Sequence, residues 1–100
     1  MANSLGSNGT FLSGEKRVSS AGTAEALGSG IFGSVTVIAK SDNTGQVYIG
    51  GSDVASSTNA GLDAGDVLEI SPRAGHIIDL AATYIDVGTN DDGVDFYATY

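Results

Sequence analysis

Cysteine is absent from this 100-residue chain, proline and histidine each occur once, and only four residues are lysine or arginine. Without cysteine there can be no disulfide, no thiolate metal site and no cysteine nucleophile. No stretch approaches the roughly 20 apolar residues of a membrane span, and the segment after Met1 has neither a basic nor an apolar leader pattern. A soluble protein made in the cytoplasm is expected. The few cations, of which only Lys16 and Arg17 are adjacent, fall far short of a nucleic-acid footprint. No window carries a helical period.

Acidic residues, by contrast, are plentiful and unevenly placed. Residues 1–40 hold Glu15 and Glu25 against Lys16, Arg17 and Lys40, a net of +1, whereas residues 41–100 hold ten acids against Arg73 alone, a net of −9. A body so charged repels phosphate backbones and anionic membranes and favours a basic partner surface. The same acids would also serve simply to keep a Gly-, Ala- and Ser-rich chain soluble. The length is that of one domain, whose small core leaves a thin stability margin that partners can supplement.

Residues 1–14 are mostly small and polar, with Leu5, Phe11 and Leu12 as isolated larger apolar residues. They are expected to form a flexible arm, a tether or a frayed terminus, ahead of a single domain over residues 15–100. From residue 15 onward, short runs of β-branched and aromatic residues alternate with Gly, Asn and Asp clusters, the pattern of many short strands. In Ser34–Lys40, Val35, Val37 and Ala39 share one face. The turn-forming Ser41–Gly45 and the run Gln46–Gly50 complete an expected hairpin. Residues 51–65 read as a long loop anchored by Val54 and Leu62. A second strand pair is expected around Ser71–Gly75, an opening pair (Glu15–Ser20 with Thr23–Leu27) around Ala21–Gly22, and a terminal hairpin from Thr83–Val87 to Val94–Tyr100. The sum is about eight short strands in an all-β, antiparallel β-sandwich, with a leaning towards a jelly roll.

Catalytic constellations are thin. A Ser-His-Asp triad would need His76, which sits beside the Pro72–Gly75 turn, and no Gly-x-Ser-x-Gly elbow occurs; a surface or strand-end position suits it better. Asp91, Asp92 and Asp95, or Asp63 and Asp66, could serve as paired carboxylates for glycoside cleavage, with Tyr84, Tyr97 and Tyr100 as platforms. Solvated turns explain the same residues more simply. The loop Asp86–Gly93 offers oxygen ligands for calcium, but with Gly93 at the sixth position of an EF-hand the first ligand would be Gly88 and no glutamate falls at the twelfth. A plain turn fits better, and no cofactor or metal is expected. Gly50-Gly51 lacks the lysine and the helix of a phosphate loop. The chain is therefore expected not to be an enzyme.

Val18–Glu25, Ser34–Lys40, Asn43–Val54, Leu62–Ile70 and Tyr84–Val94 together resemble a family of small virion proteins of tailed bacteriophages, over about four-fifths of the chain. The phrase Val47-Tyr48-Ile49-Gly50-Gly51-Ser52-Asp53-Val54 is its most specific part. The resemblance implies a structural protein of the particle: a capsid decoration or cement protein, or a component of neck, tail or fibre. The expected partner of a cement protein is the major capsid protein or another virion protein, and a homo-oligomer, perhaps a trimer at a local threefold junction, would suit the lattice. Phe11, Leu12, Ile31 and Phe32, large and apolar beside Gly/Ser segments, are the candidate contact residues, although Ile31 and Phe32 could equally begin a buried strand. A carbohydrate- or receptor-binding module using the tyrosines and the 51–65 loop is the rival reading.

Overall fold

The computed structural model describes residues 11–99. Among the described residues nine strands form in chain order: β1 (Phe11–Arg17), β2 (Glu25–Ala26), β3 (Ile31–Phe32), β4 (Ser34–Ala39), β5 (Val47–Gly50), β6 (Val67–Ile70), β7 (Ile78–Asp79), β8 (Tyr84–Val87) and β9 (Gly93–Thr99). Four of them make a sheet in the order β1-β9-β4-β6, three make a second in the order β2-β8-β5, and β3 and β7 pair as a short ribbon. All pairings are antiparallel. Asp79 ends the ribbon by accepting the Ala81 amide at 3.0 Å, which caps a 3-10 turn over Leu80–Ala82.

The two larger sheets share one core. Val35, Val37 and Ala39 of β4 and Val94, Phe96 and Ala98 of β9 line one side, and Val47 of β5 with Ile85 and Val87 of β8 lines the other. Val18, Leu27, Phe32, Ile78 and Leu80 close it. The period-two alternation in β4 and β9 thus does what a half-buried strand requires, turning branched and aromatic side chains to one face only. All-β, antiparallel and sandwich-like, the architecture agrees with the expectation from the sequence.

The expected hairpins do not form. Ser34–Ala39 pairs with β9 and β6 while Val47–Gly50 pairs with β8, so the two runs flanking Ser41–Gly45 lie in different sheets. The strands around Ser71–Gly75 pair with β4 and β3, not with each other, and β8 and β9 also belong to different sheets. The opening pair is likewise corrected: β1 pairs with β9 and β2 with β8. The turns after β1, β4 and β8 carry the chain from one larger sheet to the other, and the Ser71–Gly75 turn carries it from β6 to the β3–β7 ribbon. A strand with one apolar face satisfies that face equally in a hairpin or opposite a second sheet, and crossing lets the two apolar faces bury each other.

The boundary of the arm also moves. Phe11–Gly14, expected to belong to a flexible segment ending at residue 14, form the first half of β1 and pair with Phe96–Thr99. What makes this possible is Gly14, whose missing side chain lets the Phe96 ring lie against the backbone of β1; a Cβ there would overlap Phe96 Cζ. The rest of the expected arm, residues 1–10, lies outside the described residues. Residues 51–61 hold turns and no strand, with Val54 buried, as the loop reading expects.

Candidate functional site

Register and burial divide the residues of the four-stranded sheet between its two faces. Opposite the inward-facing Val94, Phe96 and Ala98 stand Lys16, Gly14 and Leu12 of β1, so Phe11, Ser13, Glu15 and Arg17 project outward beside Asp95, Tyr97 and Thr99 of β9. Ser34, Thr36 and Ile38 of β4 continue that outer face, and Lys40 follows at its end.

One end of the face is aromatic. The rings of Phe11 and Tyr97 stack with centroids 6.2 Å apart and planes within 16°. Phe11 is 67% exposed. Covering a large ring so placed by a partner would gain hydrophobic free energy.

The other end is a network of charges. Lys40 Nζ donates to Asp95 Oδ1 at 2.7 Å and lies 2.7 Å from Glu15 Oε2, although its own side chain is only 12% exposed. Arg17 reaches Asp42 at 3.1 Å, Glu15 at 3.4 Å and the Asp91 carbonyl at 2.8 Å. The hydrogen bond that Lys40 donates to Asp95, reinforced by the one it donates to Glu15, raises the Lys40 ammonium above its ordinary pKa. Lys40 in turn holds the Glu15 carboxyl below the usual carboxylate value, with Arg17 adding to the effect. Arg17 is raised chiefly by its bond to Asp42. Each group is thereby kept charged, which suits fixed surface electrostatics rather than proton transfer.

Of the four expected contact residues, two are available. Phe11 and Ile31 are exposed, and Ile77, just before β7, is a further exposed apolar residue near the same ribbon. Phe32 is corrected: at 6% exposed it belongs to the core, facing inward where Ile31 faces out. Leu12 is corrected as well, since it turns inward on β1 and packs against the core from its margin. Tyr97 lies on the outer face, as its alternation with Val94, Phe96 and Ala98 predicts. The ring it stacks on, Phe11, comes from the segment expected to be an arm.

The acidic loop turns out to be structural. Asp92 is buried and accepts the amides of Thr44 and Gly45, while Asp86 is buried and accepts those of Gly22 at 2.9 Å and Val87 at 2.7 Å. Asp91 occupies a left-handed conformation, φ 70°, in the turn. Asp63 accepts from Gln46 Nε2 at 2.9 Å and Asp66 accepts the Asp63 amide at 2.9 Å. His76 is exposed in the Arg73–His76 turn. Among the described residues no group of three or more His, Asp or Glu is placed to share a metal ion, and no pocket is present.

No protein-family model, no curated protein and no solved structure matches the chain.

Proposed function

We propose that this protein is a non-enzymatic structural component of a tailed-phage particle, a capsid decoration or cement protein seated at junctions between major capsid subunits. The observation that carries the reading is the outer surface: Phe11, Tyr97, Val67, Ile31 and Ile77 are exposed on a sandwich whose described residues enclose no pocket. Such a surface works by contact area, not by enclosing a substrate. The resemblance of Val18–Val94 to small virion proteins supports the same reading. The strand order supports a jelly-roll description of the sandwich. The first and last of the described strands, β1 and β9, lie side by side, and every passage between the two larger sheets crosses the core.

In this role a copy buries apolar surface that neither it nor the shell buries alone, and many equivalent seats multiply a modest energy per site. The partner is the major capsid protein, and the acidic surplus of residues 41–100 selects basic patches on it. Co-sedimentation with empty heads tests the proposal. The chain is expected to pellet with heads and to raise their melting temperature, and Phe11→Ser or Ile31→Ser to weaken both effects. Absence from heads, with retention on tails, would move the protein to the neck, tail or fibre.

The stacked Phe11–Tyr97 pair favours one second reading, an aromatic platform for a sugar ring in a carbohydrate- or receptor-binding module. Binding to a glycan array that is lost in Tyr97→Ala would carry it.

A further inference from the structure

Strand β1 is an edge of the four-stranded sheet, with β9 on one side and no described strand on the other. Which of its backbone groups face the open side follows from the bonds made further in. Thr99 O accepts from Gly33 N at 2.8 Å and Gly93 O from Lys40 N at 3.1 Å, so residues 93, 95, 97 and 99 direct their amides and carbonyls towards β4. Alternation then directs 94, 96 and 98 towards β1, where they meet Lys16, Gly14 and Leu12. The pair of bonds between Val18 and residues 91 and 92 continues the same series. The N–H and C=O groups of Phe11, Ser13, Glu15 and Arg17 are left pointing out of the sheet.

A straight row of such groups is a template for another strand. We propose that this edge is a dimerisation surface: two copies of the chain pair antiparallel through β1, about a two-fold axis at Gly14. The register is fixed by the residues themselves. Within β1, all four outward-pointing residues of each copy find a hydrogen-bonding opposite number only when Phe11 faces Arg17 of the second copy and Ser13 faces Glu15 of the second copy. A slip of two residues in either direction leaves one end of the row unmatched and sets Ser13 against Ser13, or Glu15 against Glu15, across the axis.

Side-chain chemistry favours a second copy as the occupant. The exposed Phe11 ring meets a guanidinium already held by Asp42, Glu15 and the Asp91 carbonyl, an arrangement for cation–π contact at no further ordering cost. Strand β1 holds Glu15, Lys16 and Arg17, a net of +1 in a chain of net −8, so two copies meet where their acidic surplus is least. The inward-facing Lys16, a device that commonly blocks edge pairing, is matched within its own chain by Glu25 at 2.8 Å. The opposite edge, β6, is shorter at four residues. Closure by an isologous contact leaves a dimer with no growing end.

The inference goes beyond the particle reading and does not depend on it, because it is read in solution on the chain alone. Light scattering on the purified full chain is expected to give a dimer. Ser13→Pro removes a donor on the open side and leaves the β1–β9 ladder intact, so it is expected to weaken dimerisation at least tenfold with the far-ultraviolet circular dichroism spectrum unchanged. Because the chain has no cysteine, register can be read directly. A mixture of Ser13→Cys and Glu15→Cys chains is expected to form a covalent dimer on mild oxidation, and neither variant alone. A monomer, a trimer, a dimer indifferent to Ser13→Pro, or efficient cross-linking of Ser13→Cys with itself would each overturn the proposal. The cysteine pair decides the matter if the proline variant fails to fold.

Discussion

The buried carboxylate of Asp92 holds the backbone of Gly45, accepting its amide at 2.8 Å across 47 positions of sequence. The Thr44 amide joins it at 3.0 Å, so a single side chain fastens the β4–β5 crossing to the turn that opens β9. An amide bonded to a carboxyl oxygen contributes about 1–3 kcal/mol where water is excluded and less where the residue is exposed, as Thr44 is beside the half-buried Gly45. Asp92→Ala is therefore expected to lower unfolding free energy by about 2–4 kcal/mol, read from the denaturant midpoint at unchanged m-value. Asp92→Asn, which keeps one acceptor oxygen, is expected to lose roughly half as much.

Glu15 makes the stability pH-dependent in a definite direction. Its folded-state pKa lies below the ordinary 4.5 because Lys40 bonds and attracts the carboxylate. The folded state thus holds the proton less tightly than the unfolded one. The contribution is present above the unfolded value and is lost as pH falls through the folded value. The difference in denaturant midpoint between the parent chain and Glu15→Gln is expected to be largest near neutral pH and to shrink below 4.5. Lys40 has the opposite sign: raised above 10.5, it stabilises below that value and ceases to do so as pH climbs through its folded pKa. A midpoint difference that stays constant down to strongly acidic pH would remove Glu15 from this account.

Gly14 and Phe96 form a second coupled pair. A Cβ on Gly14 would stand 2.9 Å from both Cε atoms of the Phe96 ring, closer than carbon atoms approach, and the ring is core on its other side. Gly14→Ala is expected to cost about 1–3 kcal/mol through overpacking. In a Phe96→Leu background, where the ring is gone, the same substitution is expected to cost at least about 1 kcal/mol less, a double-mutant cycle read by thermal or chemical denaturation.

These pairs show where the sequence could be read and where it could not. Val35, Val37 and Ala39, or Val94, Phe96 and Ala98, announce a buried face through their alternation, and the side chains point where that alternation says. Nothing local says which strand each one meets. Ser41–Gly45 reads as a hairpin turn because its residues suit tight reversals, yet the constraint that sets its path is Asp92, 47 and 48 positions away from its two amides. Phe11 and Leu12 read as part of an arm because their flanks are Gly and Ser. Gly14 is what a strand needs when a phenyl ring from its neighbour lies against the backbone, and a single sequence does not reveal that neighbour. The exposed pair, Phe11 and Ile31, and the inward-facing pair, the half-buried Leu12 and the buried Phe32, differ only in strand phase, which short runs beside glycine leave undefined.

Asn43 supplies the sharpest test of the crossing. Its side-chain Nδ2 donates to the Gly93 carbonyl at 2.9 Å while its Oδ1 accepts the Gly93 amide at 2.9 Å, so the carboxamide stands in for a strand residue at the point where β4 has left the sheet. An alanine here forfeits both bonds, at about 1 kcal/mol each. Aspartate is expected to do worse at neutral pH although it keeps the acceptor. Its second oxygen faces the Gly93 carbonyl lone pairs, and its charge adds to Asp42 and Asp92 close by in sequence and space. Both effects disfavour the ionised form, so the folded-state pKa of the introduced carboxyl rises above its unfolded value. The folded state then binds the proton more tightly, and the penalty declines as pH falls through that raised pKa. Asn43→Asp should therefore be less stable than Asn43→Ala at neutral pH, and the gap should narrow or reverse towards pH about 4, where a protonated carboxyl can donate to Gly93. Parallel denaturation series of the two variants across that range measure the effect, and equal pH slopes would place residue 43 outside the hydrogen-bonded crossing.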